Sequence, residues 1–245
     1  SSDYKALQVQ YIQRPLKGLQ GMASYTLSHS TDTGSTSATG NNIALTLADI
    51  DTNRADSDFD VRHNFAASLT YAIPAPPGPP LVQKMLGGFS VDTLVKARSG
   101  SPVDVLGRGT TAPYNGTLRP NLVPGQPLYI DDPAVPGGRR FNAAAFTLAP
   151  VNVQGDVPRN FLRGFGAHQV DLALRREIPI GGVRLQLRGE VFNLFNTVNF
   201  GNPTASINSA LFGQATTMLN RSLNGLNALY EMGGPRSGQL AVKLL

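Results

Sequence analysis

The chain contains no cysteine. That excludes disulfide frameworks, thiol catalysis and zinc-thiolate sites together. It is short of charge: Asp, Glu, Lys and Arg make up 15% of it, against roughly 25% in soluble domains. It has no apolar run of about 18 residues, which excludes a transmembrane helix but not a membrane barrel, whose strands need only about 10 residues each. The net charge of +5 is spread along the chain. With no basic run and no aromatic-basic module, nucleic acid is not an expected partner. Residues 1–4 (SSDY) lack the basic start and apolar core of a signal peptide, so an exported protein is expected to carry its leader upstream of them. What the chain has in abundance is glycine, 26 residues, and proline, 18 residues, which suits many turns and long loops.

The most informative stretch is 183–200 (VRLQLRGEVFNLFNTVNF). Val183, Leu185, Leu187, Gly189 and Val191 alternate with Arg184, Gln186, Arg188 and Glu190. A helix would scatter the polar residues round its circumference, whereas a strand sets them in one row. Residues 4–14, 19–28, 59–73, 86–98, 167–178 and 236–245 show comparable alternation. In 167–178, Leu172 and Leu174 oppose Asp171 and Arg175; in the last strand, Leu240, Val242 and Leu244 share a face. The connections between these segments run short, long, short, long, short, long. A sandwich mixes its loop lengths without that rhythm, whereas an up-and-down outer-membrane barrel produces it. The expected fold is therefore all-β: an antiparallel up-and-down transmembrane β-barrel segment of about seven strands with long extracellular loops. Seven is an odd count, so further strands are expected to complete the barrel.

In that frame Leu172, Leu174, Leu185, Leu187, Val191 and Val242 are expected to face lipid. Arg62, Arg175, Arg184, Arg188 and Glu190 are expected to face the lumen, where the arginines pair with carboxylates. Tyr11, Tyr25, Phe65, Tyr71, Phe89, Phe192 and Phe195 are candidates for aromatic girdles at the membrane interfaces. The spaced acids Asp49, Asp51, Asn53 and Asp60 resemble the start of a calcium loop, but Arg54 stands where glycine is needed and Asp60 where the bidentate glutamate belongs. They are a weak metal candidate, and no cofactor is expected. The three histidines are far apart, without metal-ligand spacing. No nucleophile elbow, phosphate loop or paired-acid motif stands out, so enzymatic activity is not expected.

Local motifs carry a family resemblance. Residues 57–65 (SDFDVRHNF), 119–125 (RPNLVPG), 141–146 (FNAAAF), 159–164 (RNFLRG), 190–196 (EVFNLFN), 199–203 (NFGNP) and the terminal strand from Pro235-Arg236 resemble, in order, landmarks of Oar-like TonB-dependent receptors. The resemblance implies that 1–245 is the C-terminal portion of a large plugged barrel in the bacterial outer membrane. It also implies a set of partners: outer-membrane lipid, an N-terminal plug and the remaining barrel strands, the TonB complex acting through that absent N-terminal part, and an extracellular ligand of unknown identity. Barrels of this kind usually finish on an aromatic residue, whereas this sequence ends at Leu245; the expectation is one more residue or a weaker assembly signal. Two rival readings are a non-transporting barrel whose loops adhere or bind partners, and a soluble sandwich that binds carbohydrate.

Overall fold

In the computed structural model, which describes residues 1–37, 40–42, 50–107, 118–222 and 232–245, the alternating segments form one antiparallel wall. Its strands are β1 (Ser2–Leu16), β2 (Leu19–Asp32), β3 (His63–Ala72), β4 (Phe89–Arg98), β5 (Ala167–Ile180), β6 (Val183–Phe192) and β7 (Ser237–Leu244). They pair in chain order, and the two-residue strand Ala55–Asp56 adds to the upper end of β2. Among the described residues β1 and β7 each pair on one side only, so the wall is open at both edges.

The short connections lie at one end of the wall and the long ones at the other. At the turn end, Lys17 and Gly18 both take positive φ (49° and 83°), the geometry that matches a two-residue hairpin to the twist of its strands. Gly181, at φ 61°, begins the equally tight link between β5 and β6. The third connection contains a helix, α1 (Pro80–Leu86), where the alternation had suggested the start of a strand at residue 86. Pro80 suits the first helical position, where no backbone N–H is needed, and Gly87 ends the helix with its N–H donated to Gln83 O. β4 therefore starts at Phe89. β3 is likewise shorter than expected: Asp60 caps a turn from Ser57 and its carboxylate accepts the Ser30 N–H at 2.6 Å, which pulls residues 57–62 off the strand.

The wall itself has no apolar core. The core lies in the loops, where Val103, Val105, Phe141, Ala145, Phe146, Val157, Leu162 and Phe212 pack together. Small ladders frame it: Pro102–Val103 with Leu162–Arg163, Asn121–Leu122 with Phe146–Thr147, and Tyr129–Asp131 with Arg139–Phe141. Phe141 and Phe146 meet Phe212 edge-on or tilted, with centroids about 6 Å apart. The described parts of the long connections, 99–107 and 118–166 on one side and 193–222 and 232–236 on the other, thus pack as a cap around this core.

Candidate functional site

Register fixes what each face of the wall carries. Thr93 pairs with Leu172, Leu172 with Val191, Arg176 with Leu187, Ile178 with Leu185, and Leu187 with Val242. Directly opposed residues share a face, so Leu172, Leu174, Leu185, Leu187, Val191 and Val242 lie on one apolar side. Nothing among the described residues covers that side: Leu240 is 91% exposed and Val242 68%. Tyr25, Phe65, Tyr71 and Phe89 share it, and the Tyr25 hydroxyl is 2.8 Å from His63 Nδ1. Phe192 does not join them: it follows Glu190 by two residues and so falls on the opposite side, while Phe195 lies beyond the strand.

The other side carries an ion-pair ladder. Arg175 and Arg188 are direct cross-strand partners, a like-charge pairing that is unfavourable alone. Asp92 lies between them, 3.6 Å from Arg175 and 3.3 Å from Arg188, and accepts the Thr70 hydroxyl at 2.8 Å. Arg188 also meets Glu190 at 2.8 Å, and Gln239 donates to the same carboxylate. Nearer the turn end, Arg184 reaches Glu177 at 3.5 Å and Gln186 donates to it at 3.2 Å. These pairs are worth little individually; their effect is to let one face hold three arginines and three carboxylates in a narrow band.

At the loop end the same face runs into a denser network that ties the cap down. Arg159, 2% exposed, donates to the Asp32 carboxylate and, at 2.9 Å, to the Asp32 carbonyl; it also reaches Asp58 at 3.4 Å. Arg163 pairs with Asp56 and Asp60 and donates to the Asp60 carbonyl at 2.9 Å. Arg62, just before β3, meets Asp60 at 3.3 Å and Asp56 at 3.6 Å. Asn160, held at φ 56° as asparagine tolerates, donates to the Asp56 carbonyl and to Asp58, both at 2.8 Å.

This arrangement answers the calcium-loop expectation. Asp60, 1% exposed, faces Arg62 and Arg163 rather than other acids. Asn53 is buried, donates to the Thr33 carbonyl at 2.7 Å and accepts from Arg119 at 3.0 Å. Asp51 is exposed on the single turn Ile50–Asn53, and Asp49 lies outside the described residues. Guanidinium groups occupy the space a cation would need, and among the described residues no group of three or more His, Asp or Glu side chains is placed to hold a metal.

The remaining sequence landmarks act as staples. Asn193 receives Thr197 N–H and donates to the carbonyls of Thr197 and Gly234. Asn199 accepts the His168 N–H at 2.8 Å and returns a bond to the His168 carbonyl at 3.0 Å. Asn142 caps Ala144 and donates to Pro127 O. Below the network, a recess of ≈ 330 Å³ opens on the polar face, lined by Tyr4, Gln8, Thr26, Ser28, Phe59 and Asn64 among others. It combines two exposed rings with hydroxyl and amide groups.

The network has a pH signature. Burial pushes the Asp56 carboxyl up, but the His29 hydrogen bond and the Arg163 and Arg62 charges outweigh it and hold it below its ordinary value of 3.8. A depressed carboxylate stabilises the fold above its unfolded pKa and loses that contribution as pH falls through the folded one. Asp104 has the opposite sign: burial raises it despite Arg119 nearby, so its ionisation opposes folding as pH rises. Asp56, like Asp60, is joined to both Arg62 and Arg163, so proteolytic cleavage within 99–166 is expected to stay slow from neutral pH down to the carboxylate range and to accelerate below it. Cleavage that accelerates on going from pH 5 to pH 8 would contradict this.

Comparison with known proteins gives one match. The family model described as the outer membrane beta barrel domain matches residues 1–225. No curated protein and no solved structure matches the chain.

Proposed function

The chain belongs to the outer membrane beta barrel domain family, and from that premise we propose that it forms the C-terminal part of the barrel of an Oar-like TonB-dependent receptor, working in ligand uptake. As a member of that family it resides in the bacterial outer membrane, in contact with membrane lipid. The apolar side of the wall is the one suited to lipid, and the arginine-bearing side the one suited to a wet lumen.

The observation that carries the reading is the open wall. Among the described residues β1 and β7 each pair with one neighbouring strand only, and an open sheet edge is a state the hydrocarbon region does not tolerate. Further strands from the same protein would close it, as the resemblance to large plugged barrels implies. Arg175, Arg184 and Arg188 then line the lumen, where a plug contributes additional carboxylates. The described parts of the connections 33–62, 99–166 and 193–236 then face outside, and the recess beside Tyr4 and Phe59 lies where an incoming ligand would pass from cap to lumen. Rigid loops over a fixed wall are where ligand contacts collect. The proposal assigns no catalytic step and no cofactor.

The residues preceding Ser1 in the full gene product provide the first test. A plug and a TonB-box segment are expected there; their absence would favour a non-transporting surface barrel. The second test is biochemical. The periplasmic domain of TonB is expected to bind the detergent-solubilised full-length protein and to lose that binding when the TonB-box segment is deleted. No binding to the intact protein would overturn energised transport while leaving the barrel in place.

A further inference from the structure

α1 is the feature of the turn end that neither the wall nor the uptake reading explains. None of its side chains is buried. Leu81, Met85 and Leu86 are 68%, 61% and 53% exposed, and their spacing places them along one side of the helix. Such a patch on a seven-residue helix is unfavourable in water.

Arg176 locates it. This residue is the register partner of Phe89 and of Leu187, so it belongs to the apolar face of the wall, not to the arginine ladder on the other side. Its Nη2 donates to the carbonyls of Lys84 and Met85 at 3.2 and 2.6 Å, and its guanidinium lies 4.9 Å from the centre of the Phe89 ring. A guanidinium at the last carbonyls of a helix satisfies acceptors that have no intrahelical partner. The contact ties the end of α1 to the apolar side at Phe89, the first residue of β4, while Ile178 and Ile180 carry that side on toward the turn between β5 and β6. The end of the helix is thereby joined to the side of the wall that the proposed reading turns toward lipid.

We propose that α1 is a membrane-surface element: it lies in the interface of the leaflet at the turn end, with Leu81, Met85 and Leu86 dipping among acyl chains and Lys84 at the level of the phosphates. An amphipathic segment held in this way sits about 5–10 Å into the headgroup and acyl boundary. It fixes the depth at which this part of the wall stops, as interfacial side chains do for membrane-spanning segments generally. The proposal rests on the reading that the apolar face meets lipid. With the long loops outside, the leaflet is the inner, phospholipid one.

The sequence holds no tryptophan, so an introduced one reports as the difference from the parent protein. Met85→Trp and Leu81→Trp, each in the full-length protein, are reconstituted into phosphatidylcholine vesicles with bromine on carbons near the headgroup end of the acyl chains. Leu187→Trp serves as the wall control. The added emission of Met85→Trp and Leu81→Trp is expected to fall by about twofold or more relative to vesicles without bromine, in keeping with that shallow depth. If Leu187→Trp is quenched while both α1 variants emit unquenched at a water-like wavelength, the proposal is overturned and the wall reading stands. Unquenched but blue-shifted emission would place α1 against protein and overturn it as well. If Leu187→Trp is also unquenched, the lipid-facing wall fails together with the proposal.

Discussion

Leu187→Arg is expected to block membrane assembly of the barrel, at about 2–4 kcal/mol for a guanidinium near mid-bilayer, and Leu185→Arg to do nearly the same. Leu187 lies near the middle of β6, between Arg176 on one neighbour and Val242 on the other, on the side that no other described part of the chain covers. An arginine there faces hydrocarbon beside Val242 and adds a second guanidinium next to Arg176, whose Nη2 already donates to the Lys84 and Met85 carbonyls. Gln186→Arg is the control one residue away. That side chain points to the polar face, within reach of Glu177, where a new cation gains a partner and costs less than about 1 kcal/mol. Heat-modifiability on a gel reads the outcome: the folded band is lost for the two leucine variants and kept for Gln186→Arg. Equal behaviour of the three would mean that the faces are assigned wrongly.

Arg159→Met carries the second large effect. The arginine is buried, and its partner Asp32 is nearly so. Removing one member of a buried pair leaves the other charge without compensation, typically at a cost of about 3–5 kcal/mol. The loss should be local: the cap detaches from the upper end of β2 while the wall keeps its pairing. The expected result is rapid protease cleavage within 99–166 with the folded, heat-modifiable band retained. Adding Asp32→Asn should recover a large part of the protection, because the stranded carboxylate is then gone. Arg159→Met that leaves cleavage unchanged would show that the core around Phe141 and Phe212 holds the cap alone.

The wall was legible in the sequence because each of its strands obeys a local rule. Period-two alternation in 183–191 and 167–178 needs no knowledge of partners, and the regular change of short and long connections orders the strands. The deviations have local causes as well. α1 begins at Pro80, and its last residue, Leu86, continues the alternation of the strand that follows, although Gly87 closes the helix there. Asp60 turns the chain before β3 by accepting a backbone N–H from a strand 30 residues away. The cap was not legible. Its ladders are two or three residues long, too short for periodicity, and its central ion pair joins residues 127 positions apart. The landmarks 159–164 and 190–196 were visible as a resemblance, but their role as staples depends on partners that only the folded chain brings near. The acids at 51–60 form a visible cluster, yet of the arginines that neutralise them only Arg62 is near in sequence; Arg159 and Arg163 lie a hundred residues downstream.

The orientation of the two faces supports everything else, and β6 offers the most direct test. The sequence contains no cysteine, so a single one can be introduced within this segment and spin-labelled at each position from 184 to 191, in the reconstituted full-length protein. Collision rates with oxygen, which concentrates in hydrocarbon, and with a water-soluble nickel complex are then compared. Oxygen is expected to dominate at 185, 187, 189 and 191, and its excess to fall at 184, 186, 188 and 190, giving an alternation of period two. A profile that is flat, or that favours oxygen at the arginine positions, would contradict the account.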